Sequence, residues 1–303
     1  MGVLPIPAEG QSFADSYRQA ALYGEFTPVW GRPTPFYGMA EDLAGEWGQL
    51  TVVGLIHGNG MFPLVHLSFI GPDMSLAAPP GMAGATLADP AWRSAYKAAA
   101  LDVVRACRPA YLSLGNEVNR WYEKYGAREG DGNGFGHFIS LYGEVYDAVK
   151  ALSPRTAVFC TFAREIVSEN RPADLGVLRL FPAEKMDLLV FTTYPHAVRG
   201  IRRPADIPAD YHSSALSFMA GKPLGFSEAG WPALDALGGP EAQAAFLMDL
   251  TGRLTRDQGV DVRLLGWPWL HDLDPGDTMG LIQRNGTPRP AYQVWAELAG
   301  MGR

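Results

Sequence analysis

The sequence predicts an α/β protein built as a single (β/α)8 TIM barrel. Short apolar runs rich in Val, Leu and Phe alternate with longer segments of helical period along the whole chain. This alternation is typical of parallel strands joined by crossover helices. Eight strand candidates can be counted, which is the number that closes such a barrel. The length of 303 residues suits one barrel with a few long loops, since such a barrel needs about 250 residues.

The predicted elements follow one another without a linker or a break in composition, so residues 1–303 are expected to form one domain. The predicted strands cover residues 3–7, 26–30, 62–70, 110–114, 156–161, 187–193, 223–227 and 262–267. The predicted helices cover residues 12–23, 40–57, 89–107, 138–152, 172–180, 211–220, 240–258 and 290–298. Ser12 with Asp15 resembles a helix-capping pair, and Pro90 suits the first position of a helix.

The longest irregular stretch, residues 120–136, follows the fourth predicted strand and contains several glycines. In a barrel this stretch would lie on the face that carries the functional site, and we expect it to be a flexible loop that faces the substrate. Asp131-Gly132-Asn133 looks like part of a calcium loop, but the remaining ligand spacing is absent. The six histidines show no zinc-binding spacing, and no phosphate-binding glycine motif occurs. We therefore expect neither a metal nor another cofactor.

Charge and apolar content restrict the partners. A formal net charge of −7 argues against nucleic acid and anionic membranes, because both favour clustered Lys and Arg. No apolar run reaches the ~18 residues of a membrane span. Cys107 and Cys160 lie outside any metal or redox pattern and are expected to be buried thiols. We expect a monomer. The compartment stays open between secreted or periplasmic, with a signal peptide removed, and cytoplasmic.

Two carboxylates stand immediately after predicted strands. Glu117 lies in the run Leu-Ser-Leu-Gly-Asn-Glu-Val-Asn at residues 112–119, and Glu228 lies in Leu-Gly-Phe-Ser-Glu-Ala-Gly-Trp-Pro at residues 224–232. In a barrel both would point into the same mouth. Glycosidic cleavage needs two such carboxyls, one to protonate the leaving oxygen and one to attack or to activate water. The alternative is that each Glu caps a helix or pairs with an Arg.

These motifs resemble the 4/7 signature of clan A glycoside hydrolases. The wording is closest to family 17 β-1,3-glucanases, whose Gly-Asn-Glu-Val and Ser-Glu-(Thr/Ser)-Gly-Trp-Pro elements match residues 115–118 and 227–232. Family 53 β-1,4-galactanases are similar in overall layout. Ala229, where family 17 usually has a hydroxyl residue, and the glycine-rich stretch 126–136 depart from the pattern. The resemblance implies a retaining hydrolase of a polysaccharide or oligosaccharide, with a β-glucan, β-1,3-linked, as the first expected substrate. The alternative is a β-1,4-galactanase or another clan A β-glycosidase.

The resemblance also implies roles for individual residues. Glu117 would be the general acid/base, Asn116 the donor to the sugar 2-hydroxyl, and Glu228 the nucleophile. Tyr194, after the sixth strand, would donate a hydrogen bond that holds Glu228 ionised, while desolvation keeps Glu117 protonated, so that the two pKa values are driven apart. Arg32 corresponds to the clan's arginine that keeps the nucleophile charged, although a loop salt bridge explains it equally well.

Aromatic side chains favour a glycan ligand. Five of the eight tryptophans are expected at or just beyond strand ends, namely Trp30, Trp121, Trp231, Trp267 and Trp269. Sugar rings present flat C–H faces that stack on indoles. Trp267 resembles the clan's tryptophan of the eighth strand, which lies under the cleaved sugar. His66 and His196 are further candidates for lining the site, although His66 also fits a core histidine.

Two other functions remain open. A barrel that binds glycans without catalysis would be expected to lack one of the two carboxylates, and both are present. A barrel of another chemistry, such as an aldolase, would want a lysine at a strand end, and none of the predicted strands ends in Lys. The sugar, the linkage and endo or exo action depend on loops, chiefly residues 120–136 and 194–212.

Overall fold

The computed structural model describes residues 1–29 and 35–301 and shows the predicted parallel barrel surrounded by helices. Over these residues the barrel strands are β1 Gly2–Leu4, β2 Phe26–Val29, β3 Phe62–His66, β4 Tyr111–Ser113, β5 in two segments, Ala157–Phe159 and Thr161–Ala163, β6 Leu189–Thr193, β7 Leu224–Ala229 and β8 Val262–Trp269. Their ladders are all parallel. The predicted fold class is thus confirmed.

Closure of the barrel depends on β5, which is interrupted at Cys160. Its first segment pairs with β4 and its second with β6, so the sheet begins and ends on the same strand. Leu114 N–H donates to the Phe159 carbonyl at 2.8 Å and Thr161 N–H donates to the Gly115 carbonyl at 2.9 Å, which carries β4 past the break. The residues that follow β4 are therefore held directly against β5.

The helices of the described residues are α1 Phe13–Ala21, α2 Phe36–Ala44, α3 Pro90–Cys107, α4 Val118–Tyr125, α5 Phe135–Leu152, α6 Gly239–Thr251 and α7 Pro290–Met301. The predicted caps are present: the Ser12 side chain accepts from Asp15 N–H, and Pro90 occupies the first turn of α3. No helix in this part of the chain combines the length and apolar character that a membrane crossing requires.

Two long predicted helices are shorter than expected. Residues 40–57 do not form one helix: α2 ends before an extended Gly45, and the chain continues as a single helical turn, Glu46–Gly48, and a π-helix, Gln49–Ile56. A Cβ at Gly48 would overlap the Leu43 carbonyl, so the two helical pieces pack more closely than a side chain would allow. Residues 240–258 likewise change from α6 to a π-helical turn, Gly252–Asp257.

Other predictions fail in the connections on either side of β6 and after β4. The predicted helices 172–180 and 211–220 contain only the short 3₁₀ helices Gly176–Leu180 and Ser213–Ser217. The supposed loop 120–136 begins with α4, whose buried residues include Trp121. Apolar residues at 118, 121, 122 and 125 carry the helical spacing that the glycines beyond them obscured.

An aromatic cluster packs the helices against the barrel. Trp92 and Tyr96 of α3 stack with ring centroids 5.4 Å apart, and both are fully buried. The Tyr96 hydroxyl contacts the carbonyl oxygens of Leu67 and Leu114 at 2.8 and 2.7 Å, which ties α3 to the ends of β3 and β4. Cys160 is buried and Cys107 partly buried, both are free, and burial raises the pKa of the Cys107 thiol to about 12.

A buried ion pair holds the segment after β8. Asp272 and Arg289 are 3% and 7% exposed, their closest N···O distance is 2.7 Å, and both also bond the backbone of Gly280. Asp272→Ala would leave the Arg289 charge buried without its partner and should lower the free energy of unfolding in urea by about 3–5 kcal/mol. Asp102→Ala, which breaks an exposed pair with Arg105, should change it little. Equal losses in both variants would contradict this account.

Candidate active site

The two predicted carboxylates, Glu117 and Glu228, come together at the ends of β4 and β7. Thr192 of β6 lies between them: it pairs in register with Glu228, and its hydroxyl donates to Glu117 Oε1 at 2.8 Å. Tyr194, directly after β6, donates its hydroxyl proton to Glu228 Oε2. The carboxyl ends of three strands thus form one polar cluster at the mouth of the barrel, the end where such barrels carry their sites.

A bulge in β7 sets the direction of Glu228. Phe226 pairs with Phe191 and Glu228 pairs with Thr192, so Ser227 is the extra residue in its strand. Such a bulge turns the side chains that follow it and is frequent beside functional sites. Gly266 in β8 makes room for it, because a Cβ there would overlap the Ser227 carbonyl oxygen. The glycine of β8 therefore permits the geometry that presents Glu228.

Burial dominates the electrostatics of Glu228. Enclosure by protein raises the pKa of its carboxyl to about 7, the hydrogen bond from Tyr194 acts in the opposite direction, and the charge of Glu117 raises it further. The sequence led us to expect that Tyr194 would hold Glu228 ionised. Tyr194 does act in that direction, but desolvation of the carboxylate is the larger effect and leaves the pKa of Glu228 raised.

Glu117 has an unusual backbone conformation, with φ 51° and ψ 45°, in the left-handed region. A non-glycine residue there costs about 1 kcal/mol or more and is found preferentially at functional sites. The backbone N–H of Glu117 donates to the Thr161 hydroxyl at 3.0 Å, which fixes the turn. Arg120 donates to Glu117 Oε2 at 2.8 Å, so the ion pair that the sequence left open as an alternative is present.

Asn116 and α4 are fastened to β5. The Thr161 hydroxyl donates to Asn116 Oδ1 at 2.6 Å, which keeps the amide oxygen against the protein and suits the nitrogen to donate to a ligand. The Asn119 side chain bonds both the N–H and the carbonyl of Ala163, at 2.8 and 2.9 Å. The turn that carries Glu117 is therefore anchored on both sides.

Sequence reasoning missed a third carboxylate, Glu165, just beyond β5. It is 4% exposed and accepts hydrogen bonds from Tyr194 N–H at 2.6 Å, the Tyr211 hydroxyl at 2.8 Å and the Thr193 hydroxyl at 3.0 Å. Burial raises its pKa to about 7. An ionisable residue after an apolar strand was the signal used for Glu117 and Glu228, and it would have found Glu165 too. Thr192 carried no such signal.

Three of the predicted stacking tryptophans are buried. Each is at most 1% exposed, and their indole nitrogens donate to backbone carbonyls: Trp121 to Asn133, Trp231 to Leu237 and Trp267 to Met279. These three indoles pack within the protein and present no open ring face, which corrects the stacking prediction for them. Trp269 is partly exposed, and its indole donates to Asp277 Oδ2 at 2.6 Å.

The remaining candidates differ in their surroundings. His66 is 2% exposed in β3, and burial lowers its pKa to about 3, which matches the alternative of a core histidine. His196 is partly exposed beside Tyr194, with ring centroids 6.2 Å apart, and burial lowers its pKa to about 4. Arg32 and Trp30 lie outside the described residues. No group of His, Cys, Asp and Glu suited to a metal ion occurs in the ranges 1–29 and 35–301.

Comparison with known proteins supports the architecture. No protein-family model matches the sequence, and no curated protein is significantly similar to it. Similar solved structures include a variant of GH5_18 from Streptomyces cattleya in complex with Manβ1-4GlcNAc, with 16% identity over 100% of this chain and 80% of that one and a TM-score of 0.65.

Two further structures cover this chain almost entirely. A family 39 glycoside hydrolase from Bacteroides cellulosilyticus WH2 has 16% identity over 99% of this chain and 63% of its own, with a TM-score of 0.66. The exo-β-1,4-mannosidase Op5Man5 from Opitutaceae bacterium strain TAV5 has 17% identity over 99% and 59%, with a TM-score of 0.69. These likenesses show that the chain shares the barrel fold of these glycoside hydrolases, while the resemblance to clan A and its families 17 and 53 stays a prediction.

Proposed function

We propose that this protein is a retaining glycoside hydrolase that cleaves β-glycosidic bonds by double displacement through a covalent glycosyl-enzyme. The observation that carries the proposal is the convergence of Glu117 and Glu228 on Thr192 and Tyr194 at one mouth. The barrel's likeness to glycoside hydrolases of families 5 and 39 supports it. We expect the two carboxyls to lie about 5–5.5 Å apart, the spacing of a retaining pair.

In the first step, the Glu228 carboxylate attacks the anomeric carbon while Glu117 gives its proton to the departing glycosidic oxygen. The aglycone leaves as an alcohol, and the sugar stays bound to Glu228 as an ester. In the second step, Glu117 takes a proton from water, the water oxygen attacks the anomeric carbon, and Glu228 leaves as a carboxylate. Two inversions give net retention, and Asn116 would donate to the sugar 2-hydroxyl in both steps.

The contacts of Glu117 without substrate indicate what binding must change. Both carboxyl oxygens accept a donor, Oε1 from Thr192 and Oε2 from Arg120. Thr192 is buried in β6, whereas the Arg120 side chain is 43% exposed. Under this proposal Arg120 is the partner that yields, and the glycosidic oxygen takes its place at Glu117 Oε2.

The substrate class has two supported candidates. The structures in complex with Manβ1-4GlcNAc and named exo-β-1,4-mannosidase favour a β-1,4-linked mannoside. The sequence motifs at residues 115–118 and 227–232 favour a β-glucan as the substrate, and a β-1,4-galactan is the second choice. The catalytically silent, glycan-binding barrel is less well supported, because both carboxylates and the tyrosine on Glu228 are in place.

A panel of substrates tests the activity. The protein should release nitrophenol from at least one of the 4-nitrophenyl β-mannoside, β-glucoside and β-galactoside, and the first product seen by NMR should be the β-anomer. Laminarin, lichenan, galactan and β-1,4-mannan should then identify the glycan class. Glu228→Gln should reduce the activity to background. A folded wild-type protein that binds one of these glycans without cleaving any glycoside would instead support the silent barrel.

Azide should separate the roles of the two carboxyls. Glu117→Ala should keep much of its first step on an activated aryl glycoside, because that leaving group departs without a proton, and the glycosyl-enzyme should accumulate. Azide should then accelerate turnover and give a glycosyl azide of retained configuration. Glu228→Ala lacks the first step, so azide could only attack the substrate directly and give the inverted product. The opposite pattern in the two variants would reverse our assignment.

The pH profile should report the buried nucleophile. Glu228 must be ionised to attack, and burial raises its pKa to about 7, so kcat/KM should rise with pH through a midpoint near 7. Tyr194→Phe removes the bond that stabilises the carboxylate and should move this midpoint upward by about one pH unit. Tyr142→Phe, which removes a buried hydroxyl bonded to the Lys185 carbonyl, is the matched control and should leave the midpoint in place. An unchanged midpoint in Tyr194→Phe would remove Tyr194 from the mechanism.

A further inference from the structure

We propose that Glu165 is a positioning residue for this reaction, which holds the backbone of Tyr194 and thereby keeps the Tyr194 hydroxyl on Glu228. The inference rests on the proposed retaining mechanism, and it names a residue that the resemblance to known hydrolases does not include. Glu165 begins a short antiparallel pair, Glu165–Ile166 with Arg171–Pro172, beyond the second segment of β5.

The two carboxyl oxygens of Glu165 have separate tasks. Oε2 accepts from the backbone N–H of Tyr194 at 2.6 Å, and Oε1 accepts from the hydroxyls of Thr193 and Tyr211. The donors belong to the end of β6 and to the connection that follows it. The carboxylate therefore joins the end of β5 to the residue that contacts the nucleophile.

The cost of this arrangement suggests a function beyond packing. Glu165 is 4% exposed, and burial raises its pKa to about 7 despite three hydrogen-bond donors. Buried ionisable groups are seldom the cheapest way to hold a fold together, since apolar residues of similar volume often serve as well. The hydrogen bond from the Tyr194 backbone N–H to Glu165, by contrast, fixes the position of Tyr194 and leaves the Tyr194 hydroxyl available to Glu228.

The ring of Tyr194 is confined on its other side by Gly230. A Cβ at residue 230 would lie 2.8 Å from Tyr194 Cε1 and 2.8 Å from Met279 Sδ, so only glycine leaves room for the ring. Gly230 N–H also donates to the Thr193 carbonyl at 3.0 Å. With the ring held here and the backbone held by Glu165, the hydroxyl has little freedom to leave Glu228.

The charged and titratable groups around Glu165 do not replace it. Arg164, the preceding residue, acts on Glu165 through its charge, which lowers the pKa of the Glu165 carboxyl. Its guanidinium donates to the Tyr211 carbonyl and lies 4.3 Å from the centroid of the Tyr211 ring. His212 is connected to Glu165 through Thr193 and through the Tyr211 ring, and burial together with the charges of Arg164 and Arg253 lowers the pKa of His212 to about 3. His212 is thus neutral at the pH values at which Glu228 titrates.

Glu165→Gln distinguishes positioning from a simple charge effect. Removing a neighbouring negative charge would by itself lower the pKa of Glu228. The Gln amide has one acceptor oxygen where the carboxylate uses two for three donors, so the contacts that hold Tyr194 are weakened. A displaced Tyr194 would bond Glu228 less well, which disfavours the ionised form and would raise the pKa of Glu228. We therefore expect kcat/KM to fall by about tenfold or more, with the acidic midpoint of its pH profile moving upward, as in Tyr194→Phe. In the double variant, Glu165→Gln should add little to Tyr194→Phe, because the two act through one contact.

Asp187→Asn is the matched control. Asp187 is also a carboxylate that accepts from a tyrosine hydroxyl, that of Tyr146 at 2.8 Å, and from a backbone N–H, that of Val158 at 2.8 Å, but it precedes β6 at the opposite end. The control should lose stability to urea without a change in the midpoint. Tyr211→Phe removes only the hydrogen bond from the Tyr211 hydroxyl to Glu165. It should move the midpoint of the pH profile upward, by less than Glu165→Gln does.

Two readouts keep the outcomes distinct. Glycosidase activity in the wild type that is lost in Glu228→Gln supports the proposed function, whatever Glu165 does. The Glu228 carboxyl can be followed separately by carbon-13 NMR, its signal assigned by its absence in Glu228→Gln, so the Glu165 proposal is tested even in a protein without activity on the panel. An unchanged or lowered Glu228 pKa in Glu165→Gln, or full additivity with Tyr194→Phe, would overturn the inference.

Discussion

The hydrogen bond from Tyr194 to Glu228 is the contact around which the mouth of the barrel is arranged. Burial at this depth favours the neutral carboxyl, and the tyrosine hydroxyl opposes it from the neighbouring strand. The bulge at Ser227 sets the direction of Glu228, Gly266 makes room for the bulge, and Gly230 makes room for the ring of Tyr194. Local backbone irregularity thus follows from the need to join β6 and β7 through side chains.

The sequence was sufficient for the barrel and insufficient for the details of its helices. Each strand is a short apolar run with recognisable flanks, so the eight strand positions could be predicted. The break of β5 at Cys160 left no such trace, since Cys160 is itself apolar and continues the apolar run that begins at Ala157. The change to π-helix in residues 49–56 is accompanied by close packing of Gly48 against the Leu43 carbonyl, a detail of backbone geometry. Periodicity alone cannot report it.

The site shows the same division. Glu117 and Glu228 were singled out because each lies at the end of a predicted strand, and all carboxyl ends of a parallel barrel share one face. Asn116 and Tyr194 were singled out only through the resemblance to known glycoside hydrolases. Their partners come from neighbouring strands far away in sequence, as Thr192 does for Glu117, and were not predicted. Whether an indole ring is exposed depends on the loop that packs over it. Trp267 follows the predicted strand pattern, but its indole N–H donates to the Met279 carbonyl and its ring is buried.

The left-handed backbone of Glu117 has a consequence for how this protein could be redesigned. A glycine would adopt φ 51° without the steric penalty that Glu117 bears. A procedure that optimises folding stability alone would therefore favour replacing Glu117. The same holds for the burial of Glu165 and Glu228, where neutral side chains would avoid the cost of desolvating a charge. A library selected only for heat resistance should therefore lose these three glutamates first. In another barrel of this kind, the positions that such a selection replaces would indicate functional residues.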